Sequence, residues 1–289
     1  MIITFFQRMK RNIKTKSYRF SIFEISLFGL LLALYIIASV IERYVFVGAF
    51  NISITYALFI IFGLALGPWK GAFLGILCDT INQVIFGIST WMPEYAIIPV
   101  LIAFLSGFLF LGLTKNEKNT WIFGFIFLSL LTIIFIVILA TKYDSIPIRE
   151  TSIKRNKNFS LQAIIAIGSL GIGSIWLSAL VFVIIYKKTR SLKSKFSAQI
   201  LFSILLTVFG ILIITRWFWG PFAYINYHNR FRSGTWTYQK YYFFFMIPIV
   251  FKSLIEIPIY TVVIFAIYPA IVMLRQKIAF SSKRTHTYL

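Results

Sequence analysis

The sequence is poor in the residues that carry most enzyme chemistry. Among 289 residues there are one cysteine, Cys78, two histidines, His228 and His286, and eight acids. One cysteine excludes an intramolecular disulfide and any Cys-based zinc cluster, and within an apolar run it reads as packing. Two distant histidines make no His-rich metal site, and no H-E-x-x-H occurs. No D-x-x-D cluster suits a magnesium-dependent lipid transferase. The phosphate loop G-x-x-x-x-G-K-S/T is missing, so the chain does not hydrolyse ATP by that route. The nucleophile elbow G-x-S-x-G is missing too. These gaps predict a protein that is not an enzyme, with no catalytic residues, no metal and no bound cofactor.

What the sequence has in excess is apolar length. Hydrophobic residues make up 59% and aromatics 19%, and the mean hydropathy is +0.86. A soluble domain stays near 45–50% apolar. A helix crossing a hydrocarbon core about 30 Å thick needs roughly 20 apolar residues. Apolar runs occupy 21–47, 50–67, 70–87, 94–113, 120–141, 159–186, 196–215 and 244–273. They predict an all-α integral membrane protein of about eight spans. The first run starts too late and is too long for a cleavable signal peptide.

The net charge of +21 raises a nucleic-acid reading, which the placement of the charges opposes. Arg8, Lys10, Arg11, Lys14, Lys16 and Arg19 crowd the segment 1–20, and the positive-inside rule puts it in the cytoplasm, against anionic lipid. Alternation then brings Lys70, Lys115, Lys118, the cluster Lys187–Lys195 and the stretch Arg275–Arg284 to the same side. Both termini are expected in the cytoplasm of a multi-pass protein in the cell membrane. The segment 142–158 runs against this pattern, with five basic residues on the outer side. The outward connection 226–243 is read either as an interfacial aromatic belt or as a lid over a flat anionic ligand.

Small and polar residues inside the runs give the packing. In FGLALGPWKGAFLGILCDTINQ, residues 62–83, Gly63 and Gly67 are four apart, as are Gly71 and Gly75. Such spacing lets helix backbones approach closely in lipid. Pro68 is expected to end the second helix, Trp69 to anchor it and Lys70 to mark its cytoplasmic end. Asp79 lies roughly 15 Å further along, with Asn82 and Gln83 on the same face. This is either an interhelical hydrogen-bond knot or the floor of a pocket. In the last run, FKSLIEIPIY, Lys252 and Glu256 form an i,i+4 pair. The partner of Lys252 is either Glu256 or a ligand carboxylate, and Pro258 is expected to bend the helix. Gly29 and Ala33 form another small pair, for packing or for a partner subunit.

These stretches carry a resemblance. The first helix with Gly29-x-x-x-Ala33, the stretch NISITYALFIIFGLALGPWKGAFLGILCDTI, and FKSLIEIPIY resemble the S component, the substrate-binding membrane subunit, of energy-coupling factor (ECF) vitamin transporters. The Gly-Pro turn and the later Asp79 are most similar to the folate-type branch. The resemblance implies a six-helix bundle that binds a vitamin on its outer side. It implies partners as well: a membrane T subunit, met through Gly29 and Ala33, and two cytoplasmic ATPase subunits that supply the energy. On this reading 1–20 is a basic tail, 21–113 holds four helices of the body, and 114–195 is an inserted helix pair with its loops. Residues 196–275 hold the last two body helices, and 276–289 form a second tail. By position the candidate pocket comprises Arg43, Asn51, Asn82, Gln83, Trp91, Tyr95, Arg216, Trp217 and Lys252. Such a set suits stacking on, and pairing with, folate or another planar vitamin such as riboflavin. A self-sufficient secondary carrier would call for a pseudo-repeat with paired broken helices, and the sequence has neither. A membrane enzyme acting on lipid or glycan would call for a carboxylate or histidine cluster at one interface, where Glu94 is the only hint.

Overall fold

The structure is a computed structural model that describes residues 20–44, 53–87, 91–114, 117–141, 161–189 and 191–284. Asn51, the basic residues of 1–19 and the segment 142–158 lie outside the described residues. All regular structure among the described residues is helical. The elements are α1 (Ile22–Tyr44), α2 (Ile54–Leu66), α3 (Pro68–Phe86), α4 (Pro93–Thr114), α5 (Glu117–Thr141), α6 (Leu161–Lys188) and α7 (Leu192–Leu212). A π-helical turn (Ile213–Phe218), α8 (Trp219–Phe231) and α9 (Tyr238–Arg284) follow. Among the described residues, five helical stretches are long and apolar enough to cross a membrane, with Ile54–Leu66 and Thr120–Ile134 as shorter apolar helices.

The chain divides into two compact units. Unit 1 holds α1, α2, α3, most of α4 and the end of α9, and unit 2 holds residues 92–95 and 116–263. Within unit 1, α1, α2 and α3 pack on one another, and α4 closes on α2 and α3. The helices approach this closely because little side chain stands between them. A Cβ on Gly71 would sit 3.0 Å from the Cα of Gly63, and one on Gly75 would sit 2.9 Å from the Pro99 carbonyl. A Cβ on Gly63 would collide with Ser106 and with the Ala103 carbonyl. Small-residue packing of this kind replaces the hydrophobic drive that lipid cannot supply. Gly67, in contrast, is needed for its backbone: its φ of 86° closes α2 through a bond from its N–H to the Gly63 carbonyl. Pro68 therefore does not end α2, as expected from the sequence, but opens α3 at a position where a missing N–H costs nothing.

One end of unit 1 is fastened by a residue that the sequence reading passed over. Ser21 and Glu24 form a capping box at the start of α1: the Ser21 N–H donates to Glu24 Oε2 (2.9 Å), and the Glu24 N–H donates to Ser21 Oγ (3.3 Å). The same buried carboxylate takes the ammonium of Lys70 from α3. Lys70 thus does more than mark a membrane boundary, since it ties α1 to the α2–α3 turn. Phe20, Phe28 and Phe73 cluster around this pair.

In unit 2, α7 packs on α5 and α6. The interior is apolar at Phe202, Ile204, Val208 and Ile211, and Gln199 donates to Thr120 across α7 and α5 at 3.4 Å. Two expectations are corrected here. The stretch 226–243 is helical except at 232–237, and its polar groups find protein partners across that turn. Asn229, for example, both donates to and accepts from the backbone of Trp236 at 2.9 Å. The last helix also outruns 244–273 at both ends, with Pro258 inside it.

Candidate functional site

Of the expected pocket residues, Arg43, Asn82, Gln83 and Trp91 fall in unit 1, and Tyr95, Arg216, Trp217 and Lys252 fall in unit 2.

In unit 1 the polar residues gather where α1 and α3 end and α2 begins. Side chains of α1, α2 and α3 meet there, with Trp91 from the segment before α4. Trp91 Nε1 donates to Asp79 Oδ2 at 3.4 Å, and Gln83, one turn beyond Asp79, also hydrogen-bonds that carboxylate. The guanidinium of Arg43 lies over the Phe86 ring at 4.5 Å, a cation–π contact. Asn82 is partly buried beside them on α3. Asp79 and Gln83 thus meet along the helix face they share, and Trp91 joins them from the segment before α4. Glu42 is the member that sequence reasoning missed. Its Oε2 accepts from the Thr55 N–H (3.2 Å) and the Thr55 hydroxyl (2.8 Å). A carboxylate at the N-terminus of α2 offsets the helix dipole and an unpaired first-turn N–H. The cluster offers one indole with 45% of its surface exposed, a guanidinium, two amides and two carboxylates, chemistry suited to a planar polar molecule.

In unit 2 the ionisable residues form a second cluster. Glu256 is fully buried and is paired with the guanidinium of Arg216, while Lys252 Nζ lies 3.8 Å from its other oxygen. The i,i+4 pair of Lys252 with Glu256 is as the spacing predicts. The approach of Arg216, forty residues away, is not written in either stretch. Arg216 reaches α9 from the π-helical turn, whose wider i→i+5 bonding offsets the side-chain register of a regular α-helix. Trp217, the next residue, lies edge-on to Phe209 at 5.7 Å and faces α5 and α6. Tyr95 packs against Tyr227 at 6.3 Å. Glu94 accepts from Asn226 Nδ2 at 3.4 Å, and its backbone carbonyl accepts from Trp219 Nε1 at 2.6 Å. Glu94 is thus a structural anchor for α8. No group of three or more metal-binding side chains occurs among the described residues.

On α1, Gly29 and Ala33 lie on an exposed face with Leu30, Leu34 and Ile37, and a Cβ on Gly29 would meet nothing within 4 Å. The pair does not pack inside unit 1.

Residues 19–154 match the family model of the ECF-type riboflavin transporter, S component. The match takes in α1 to α5 and just under half of the chain. It supports an ECF S component, a membrane transport subunit, and it says nothing of a folate-type branch. Comparison with curated proteins and with solved structures found no match.

Proposed function

We propose that the chain is the vitamin-binding S component of an ECF-type importer, energised by separate ATPase subunits and docking on a membrane T subunit. The observation that carries this reading is the match of residues 19–154 to an S-component family, which covers two of the three stretches that carry the resemblance and not FKSLIEIPIY. The cargo is a planar vitamin. Riboflavin comes first, because the matching family is described by it. Folate comes second, on the Gly-Pro turn and Asp79 of the sequence. Arg43, Asn82, Gln83 and Trp91 with Asp79 are the unit 1 residues proposed for ligand contact, and Asn51, Tyr95, Arg216, Trp217 and Lys252 complete the proposed set. The open face at Gly29 and Ala33 supports its assignment to the T subunit. The proposed topology keeps both termini in the cytoplasm, with eight spans of which 114–195 supply an inserted pair.

The test is mass spectrometry of small molecules extracted from the chain purified alone in mild detergent, followed by titration with riboflavin and with folate. A stoichiometric vitamin establishes a binding subunit and names its cargo. A chain that arrives empty and binds neither compound overturns the reading.

A further inference from the structure

Unit 1 holds one polar side chain whose place in the packing of α1 does not explain its chemistry. Tyr35 lies on the buried face of α1 with Leu31 and Ala38, and its ring sits against Phe59 of α2 at 5.2 Å. Only 5% of the residue is exposed. Its hydroxyl nevertheless makes no hydrogen bond among the described residues, and, unlike the Trp217 indole N–H, it is not sealed from contact. Polar atoms of residues buried this deeply are normally paired, so the exception calls for an explanation.

The register of two helices says where the hydroxyl stands. Tyr35 comes seven residues before Glu42 on α1, and Asp79 comes seven residues before Phe86 on α3. The two helices pack on each other, and Arg43 over the Phe86 ring pins their ends at one level. Tyr35 and Asp79 therefore form a floor about 10 Å below that rim. There the Tyr35 hydroxyl lies within electrostatic reach of Cys78, Asp79 and Glu42. Asp79 accepts from the Trp91 indole and the Gln83 amide, which leaves acceptor sites open, since a carboxylate offers about four. A free donor and an open acceptor thus stand together on the floor, and two carboxylates repel any anionic group brought there.

We propose that Tyr35 is a specificity-determining ligand contact: its hydroxyl donates to a ring carbonyl of the ligand while Asp79 accepts from the adjacent ring N–H. The site then selects a planar heterocycle by its lactam edge. This rests on the vitamin-binding reading and adds to it a residue and an orientation. Riboflavin and folate both carry such an edge, a ring carbonyl beside a ring N–H. For either, the lactam edge enters first, and the ribityl or glutamate tail stays at the rim beside the Arg43 guanidinium, away from the two carboxylates.

The experiment measures Kd for the full chain in mild detergent with two pairs of compounds. One pair is riboflavin and riboflavin methylated on its ring N–H. The other is folate and aminopterin, in which an amino group replaces the ring carbonyl and the neighbouring nitrogen carries no hydrogen. Tyr35→Phe keeps the ring against Phe59 and should leave the Tm of the unliganded chain unchanged, because the hydroxyl holds nothing in the fold. The vitamin that binds should bind Tyr35→Phe about threefold to tenfold more weakly, the scale of one hydrogen bond. Its altered counterpart should bind the unaltered chain about tenfold more weakly or worse, and with aminopterin Tyr35→Phe should add no further loss. Vitamin binding unchanged in Tyr35→Phe, or an altered counterpart that binds as tightly as its parent, overturns this inference and leaves the vitamin-binding reading standing. A lower Tm of unliganded Tyr35→Phe assigns the hydroxyl to the fold and overturns it as well. A chain that binds neither vitamin overturns both.

Discussion

The close approach inside unit 1 can be tested with two glycines on a single helix. A Cβ on Gly107 of α4 would lie 2.6 Å from the Pro68 nitrogen, 2.8 Å from the Gly63 carbonyl oxygen and 2.9 Å from the Pro68 Cα. All three are backbone atoms at the α2–α3 turn, so no flexible side chain can swing away. Restoring ordinary contact requires a shift of about half an ångström or more, and overpacking a tight core costs about 1–3 kcal/mol. On the same helix, a Cβ on Gly112 would meet nothing within 4 Å. Alanine there gains about 0.5–1 kcal/mol of helix propensity. For a chain of this size 1 kcal/mol moves Tm by about 2 °C. Gly107→Ala should therefore fall by about 2–6 °C while Gly112→Ala stays level or rises by up to about 2 °C. Thermal unfolding in mild detergent, followed by the monodisperse fraction on size exclusion, reads both. A Gly107→Ala chain as stable as Gly112→Ala would refute the backbone-contact argument.

Three further outcomes are expected. Arg216→Met should destabilise unit 2 by about 3–5 kcal/mol, because it leaves Glu256 buried without its principal cation. The double change Arg216→Met with Glu256→Leu should recover most of that loss, as read by the same unfolding assay. Glu24→Ala removes both the capping box and the partner of Lys70, so it should cost more than the ~1 kcal/mol of a lost cap alone, measured against Ser21→Ala. Gly29→Leu should leave Tm unchanged, since the site is open, while abolishing co-purification with a T subunit. Retained co-purification would remove Gly29 from that interface.

The sequence showed plainly what depends on short range. Runs of apolar residues mark the helices, and the pairs Gly63–Gly67 and Gly71–Gly75 point to the tight α2–α3 hairpin. Ala103-x-x-x-Gly107 and Ser21-x-x-Glu24 carry the same kind of local signal, and reading them would have located the α4 contact and the cap of α1. The stretch 226–243 misled for a physical reason. Its polar and aromatic composition is that of a loop, but Asn226 and Asn229 find partners across the short turn, and Trp236 stacks on His228 at 3.4 Å and Phe245 at 5.0 Å. With those groups satisfied, helix can continue on both sides, leaving only Ser233 and Gly234 as a true turn signal.

The ionisable groups were legible as candidates and illegible as pairs. Nothing near Lys70 names Glu24, and nothing in FKSLIEIPIY names Arg216, because each partner is set by packing between helices far apart in sequence. The π-helical turn sharpens this point. IITRWF carries no proline or glycine and is helix-compatible in any register, so its wider hydrogen-bonding pattern, which accompanies the turning of Arg216 toward Glu256, has no local signature. This cluster also lies beyond residue 154, where the similarity to the riboflavin S-component family ends. A buried carboxylate with two cations is costly to place in a membrane and is retained only where its geometry is held. The Arg216 single and double changes therefore test a feature on which the matched family is silent. If stability returns in the double variant but vitamin binding does not, the triad serves the ligand; if both return, it serves the fold.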